Sequence, residues 1–168
     1  MKETPAYILR NCTIFVDRDS KVGQASEITV PPMKVKYEEF RNAGMVKPRR
    51  VALGYETLEM SFAMTAFDPA TLKLFGLRPG VEKEFMATAA LVDEDGTVHP
   101  ATVYMRGFLD GFDPGAWTPG EKASTSHTVS VHYVKLEIDG SPIVEADDYD
   151  VKIGGESQTG GIRSAMML

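Results

Sequence analysis

Three histidines, one cysteine and several adjacent carboxylates are the residues of this chain best suited to chemistry, and their spacing argues against a shared site. His99, His127 and His132 would have to converge to act as general acid and base or as zinc ligands. Along one extended strand, an odd spacing of five puts His127 and His132 on opposite faces unless a bulge intervenes. The pairs Glu38-Glu39 and Asp147-Asp148 are sequence neighbours, so on strands they point apart and cannot face each other across a substrate. The acidic run Glu145, Asp147, Asp148 and Asp150 reads as a solvated edge or subunit contact rather than a metal cage. Cys12 has no histidine near it in sequence to suggest a catalytic dyad and reads as inert core filling. GxSxG, HExxH, GxGxxG and the phosphate-binding P-loop are all missing from the sequence. The expectation is therefore no catalytic residue, no metal and no cofactor.

Positioning elements come next. At 168 residues with 43% hydrophobic and 25% charged side chains, the chain has the size and composition of one globular domain over 1–168. A single cysteine excludes an intrachain disulfide. No apolar run reaches the roughly 20 residues a membrane helix needs, and MKETPAYILR lacks a secretory core, so neither membrane insertion by this chain nor export is expected. A net charge of −6 opposes tight binding of nucleic acid.

Two-residue alternation dominates the pattern. It is clearest at Leu58, Met60, Phe62 and Met64, and returns in Phe85, Ala87, Ala89, Leu91 and in Ala101, Val103, Met105 around a turn at Asp95-Gly96. Apolar parity runs through Val129, Val131 and Tyr133, then switches to Val134, Leu136 and Ile138, which predicts a bulge or a strand crossing between two environments. Asp139-Gly140 turns the chain into a return strand from Ile143 to about Ile153. Further strands are predicted over 7–17, 27–30 and 33–40, with Pro31-Pro32 as a break. One helix of about two turns is predicted, capped by Asp68, begun by Pro69, burying Leu72 and Phe75 and stopped by Gly76. The sum is a mainly β, antiparallel sandwich or barrel with one short helix. Extended loops are expected at 41–50 and 110–128, with a Gly-rich tail over 154–168. Trp117 is expected to anchor the second loop.

Four stretches in this order carry a family resemblance. They are Val30-Pro31-Pro32-Met33; the run from Tyr37 through Arg41 and Gly44 to Met45; Met105-Arg106-Gly107 with Asp113 to Ala123; and Tyr133 to Gly140 with Val144 to Asp147. Together they resemble the major tail tube protein of contractile-tailed bacteriophages and of R-type, phage-tail-like bacteriocins. The chain departs from that pattern at Gly154 to Arg163, while the apolar end Met166-Met167-Leu168 persists.

The resemblance implies a structural protein whose six copies form a ring with a continuous inner β-barrel, four strands from each. Such rings would stack inside a contractile sheath as a conduit for DNA delivery or membrane puncture. Twenty-four strands at about 4.8 Å spacing and roughly 40° tilt give a backbone diameter of about 48 Å, wide enough for duplex DNA. Its implied partners are other copies of itself, the sheath, a tape-measure protein and a baseplate hub, with DNA only as passing cargo. Its implied place is the tail of a virion or bacteriocin particle assembled in the bacterial cytoplasm. Glu59 and Ser61 are expected to face the lumen. Arg41, Gly44, Met45, Lys47, Arg49 and Arg50 are expected to make ring-to-ring contacts, with Gly44 supplying a backbone conformation closed to other residues. The competing readings are an Hcp-like tube of type VI secretion, a monomeric ligand-binding barrel, and a histidine hydrolase.

Overall fold

The computed structural model describes residues 3–76 and 80–168. Among the described residues, twelve strands and two short helices follow one another as β1 (Ile8–Val16), β2 (Asp19–Ser20), β3 (Ala25–Thr29), β4 (Val35–Phe40), β5 (Arg49–Tyr55), β6 (Leu58–Met64), α1 (Pro69–Leu72), β7 (Lys83–Val92), β8 (Val98–Asp113), β9 (Thr125–Ile138), β10 (Ser141–Ala146), β11 (Val151–Ile153), β12 (Glu156–Ser157) and α2 (Gly160–Ala165). All the ladders between these strands are antiparallel.

Six strands curl into a barrel in the order β1, β7, β8, β9, β6, β3. The last of these returns beside β1, where the backbone N–H of Lys21 donates to Ile14 and that of Ala25 to Lys21. Alternation sends every second side chain inward. Ile14, Met60, Phe62, Met64, Phe85, Met105, Leu109 and Val129 fill the interior as a packed core.

β9 is where the sheet branches. One edge bonds β8 along the strand; the other bonds β6 from Thr125 to Val131 and then β10 from Val134 to Ile138. Between the two partners, Arg106 lies opposite Tyr133 and Gly107 opposite Val131, which leaves His132 as an extra residue and flips the parity. Both readings of the parity switch are therefore met at one place. Gly107 belongs to the same irregularity, because a Cβ there would stand 1.9 Å from the Ser130 carbonyl oxygen. At the other end, Asp139 and Gly140 both take positive φ, 53° and 74°, and close the two-residue turn into β10.

Several expectations need correction. The return strand is not continuous: the Asp147 carboxylate accepts from the N–H groups of Tyr149 and Asp150 and folds the chain into the β10–β11 hairpin. The Gly-rich tail carries β12 and a second helix, α2. α1 has a single turn and buries Thr71, not Leu72 and Phe75; Asp68 caps it as expected, at the N–H of Ala70 and Thr71. The chain leaves the helix early because Phe75 bridges to Leu109 of β8, holding its ring largely outside. The second extended loop is narrower than 110–128, since β8 runs to Asp113 and β9 begins at Thr125. Cys12 is exposed, one pleat beyond Ile14 and past the end of the packed interior.

Candidate functional site

The long hairpin from β3 to β6 is the element that separates this molecule from a self-contained barrel. Its lower half, β3 against β6, is wall of the barrel. Beyond Pro31-Pro32 on one limb and Glu56-Thr57 on the other, the same hairpin continues as β4 against β5, joined across the break by the Glu56 N–H donating to Lys34. This upper half forms a sheet of its own with two open edges. Tyr37, Phe40, Leu53 and Tyr55 are all exposed on it. Two strands without a core are marginal in water, so these apolar side chains await a covering surface.

The stacking residues expected at 41–50 gather at the hairpin tip. Gly44 has φ +82°, the left-handed conformation the turn requires. Arg41 donates through Nε to the Met45 carbonyl at 2.9 Å and thereby braces the turn. Arg50 pairs with Glu39 on the opposite strand and leans over the Tyr37 ring. The side chains of Lys47 and Arg49 make no hydrogen bond or ion pair among the described residues, and Val46 between them and Met45 is 92% exposed.

Glu59 and Ser61 stand on the outward side of β6, opposite Met60, Phe62 and Met64. Glu27 and Thr29 of β3 flank them on one side, and Ser126, Thr128 and Ser130 of β9 on the other. The outward face of these three strands carries hydroxyls and two carboxylates, with no lysine or arginine in β3, in β6 or in β9 from Thr125 to Val131. The serines and threonines of β9 were legible in sequence as the polar partners of Val129 and Val131, though only the pairing with β6 brings them beside Glu59 and Ser61.

The titratable groups serve structure at separate places. His99 Nδ1 lies 2.7 Å from Asp139 and Nε2 3.1 Å from Asp93, with the Tyr7 ring stacked on it at 4.4 Å. The hydrogen bond to Asp93, then that to Asp139, raises the imidazole above its ordinary value. His127 is buried against Phe62, and burial pushes it down toward the neutral form. His132 Nδ1 meets Glu82 at 2.6 Å on the opposite face of β9. The bulge thus brings no two histidines together. Asp150, part of the acidic run, accepts from Thr159 and Ser157 and lies near Arg163, which ties α2 to the body and holds its carboxyl low. Burial of Asp68 works to raise it, but the hydrogen bonds from Lys21, Thr71 and Ala70 win and hold it at about 2. Trp117 meets Phe67 edge-on at 5.3 Å while 74% exposed. Among the described residues, no group of three or more histidine, cysteine or carboxylate side chains has a metal-holding arrangement.

Among the described residues the molecule is a barrel with a half-free hairpin, its three histidines at separate places. Comparison with known proteins gives that shape a family: the profile of phage tail tube protein FII matches residues 6–166. The chain belongs to the phage tail tube family. It is 28% identical over 153 residues to the tail tube protein of Escherichia phage P2, covering 88% of this chain and 89% of that one. It is 23% identical over 139 residues to the major tail tube protein of Serratia phage KSP20, covering 83% of this chain and 81% of that one. Its fold matches a chain in the extended sheath-tube complex of the extracellular contractile injection system PVC, with a TM-score of 0.55, 12% identity, and coverage of 80% of this chain and 90% of that one. The protein is a structural tail tube subunit.

Proposed function

We propose that six copies of this tail tube subunit close into a ring whose inner wall, four strands from each, includes the outward face of β3, β6 and the first half of β9. The observation that carries this reading is the composition of that face: Glu27, Glu59, Thr29, Ser61, Ser126, Thr128 and Ser130 without a single cation. Phosphate is held by lysine and arginine. A wall of hydroxyls and scattered carboxylates offers it no such grip and repels it weakly, so duplex DNA passes as cargo without being bound. Glu59 and Ser61 face the lumen in this arrangement. A neighbour on the open β4–β5 edges completes the ladder and covers Tyr37, Phe40 and Leu53, which removes the edge hazard of the isolated chain.

The tip residues Arg41, Gly44, Met45, Lys47, Arg49 and Arg50 make the contact between successive rings, and Trp117 with Phe67 anchors the 114–124 loop. The tube stands inside a contractile sheath, ends on a baseplate hub and is measured by a tape-measure protein; its work is mechanical, with no reaction catalysed. The scatter of His99, His127 and His132 over three sites supports that view. Assembly takes place in the bacterial cytoplasm, and the product is a part of a virion or a related particle.

Negative-stain microscopy of the purified chain at rising concentration tests the reading. Uniform rings and tubes are the expected result; isolated small particles at high concentration would overturn it.

A further inference from the structure

At the root of the free hairpin lies a groove of about 520 Å³, floored by Leu58 and Val131, walled by Tyr55 and Tyr149 and rimmed by Glu56 and Asp148. No lysine or arginine lines it. The side chains of Glu56 and Asp148 are exposed and have no hydrogen bond or ion pair among the described residues. Tyr149 is 75% exposed although it flanks an apolar floor.

The hairpin tip is the complement of this groove in charge. Lys47 and Arg49 stand unpaired on either side of Pro48, next to the almost fully exposed Val46. The tip cannot fold back into its own groove. The ladder from Val35 opposite Tyr55 to Phe40 opposite Arg49 separates them, and six extended residues span roughly 20 Å. A surface and its complement on one rigid chain, too far apart to meet, are satisfied only between copies. Such a contact is head-to-tail and propagates.

We infer that the tip of one copy docks into the root groove of a copy in the next ring, with Val46 between Tyr55 and Tyr149, and with Lys47 and Arg49 against Glu56 and Asp148. This rests on the reading of 41–50 as the stacking loop and adds the surface that receives it. Because the groove partly belongs to the β10–β11 turn, the C-terminal half of the chain takes part in stacking although the hairpin lies in the N-terminal half. The contact is charge-assisted at its rim, so added salt weakens it.

Charge exchange tests the pairing. Lys47→Glu with Arg49→Glu, and separately Glu56→Lys with Asp148→Lys, should each leave a folded subunit by circular dichroism and rings by microscopy but shorten tubes at least tenfold. Combining all four should restore tube length. Tubes of unchanged length in either double variant would overturn the inference while leaving the tube reading intact, and so would failure of the combined variant to recover. Absence of rings and tubes from the unaltered chain would instead defeat the underlying reading. As an independent measure, Val46→Cys with Tyr149→Cys in a Cys12→Ser background should give a ladder of disulfide-linked copies on oxidation of the tubes. A single unlinked band from intact tubes would overturn the docking.

Discussion

The lower and upper halves of one hairpin make opposite use of the same strand chemistry. In the lower half, β6 buries Met60, Phe62 and Met64 almost completely and shows polar side chains to the outside. In the upper half, β5 continues the same limb, yet Ala52, Leu53, Gly54 and Tyr55 are all exposed. Hydrogen-bonded pairing alone does not distinguish the two, since both halves keep their ladders. The difference is a core. The barrel half is complete within one chain, whereas the free half has apolar surface whose burial has to come from another molecule.

Substitutions sort along this contrast by size of effect. Phe62→Ala should cost the isolated subunit about 3–5 kcal/mol in denaturant unfolding, because it empties the middle of the packed interior. Gly107→Ala should cost about 1–3 kcal/mol, since its Cβ collides with the Ser130 backbone and the bulge on β9 must shift. Asp68→Ala should cost about 1 kcal/mol from the lost cap, with more from leaving the buried Lys21 to Asp19 alone. Asp68 also sets an acid limit. Its pKa is depressed, so its contribution is present above the ordinary carboxylate range and disappears as pH falls through about 2, which an acid titration of the wild type against Asp68→Ala would reveal.

The tether at His99 is a smaller effect of opposite sign. Its pKa is raised by Asp93 and Asp139, so its contribution is present below the ordinary imidazole value and is lost as pH rises through the raised one. Melting temperature measured from pH 5 to 9 should fall for the wild type over that window and stay flatter for His99→Gln. Smallest of all on the isolated chain is Leu53→Ser, expected within about 0.5 kcal/mol of wild type because the side chain is already exposed. The same substitution should prevent tube formation in the microscope, and tubes as long as those of wild type would erase the distinction between the two halves.

Much of the barrel could be read from the sequence because its strands bury one face and obey a period of two. Met60, Phe62, Met64, Phe85, Ala87, Val103 and Val129 all lie in the core as their alternation demands. A parity change was visible too, expected after Tyr133 and found at His132, for a bulge leaves its trace in any pattern of alternation. What could not be read depended on contacts that no alternation pattern records, some of them distant in sequence. The helix α2 starts at Gly160-Gly161 with no side-chain cap, and is held by Asp150 through Thr159 and Arg163. Phe75 looked like a helical core residue until its bridge to Leu109 pulled it away. Asp147 looked like one acid in a row, whereas its carboxylate spends its bonds on a turn. In the candidate site, the outward setting of Glu59 and Ser61 followed from alternation alone. Their hydroxylated neighbours on β9 needed the pairing of two strands more than sixty residues apart in the chain.

The fourteen-residue strand β9 belongs to both the barrel and the C-terminal hairpin. Any displacement of β10 and β11 therefore reaches the barrel wall as a pull along β9, against a ladder with β8 that continues past the point where β10 lets go. Antiparallel bonds lie across the strands, so a pull along the strand strains many of them together instead of peeling them one at a time. The two halves of the molecule thus share one strand and the ladder that β8 makes with it.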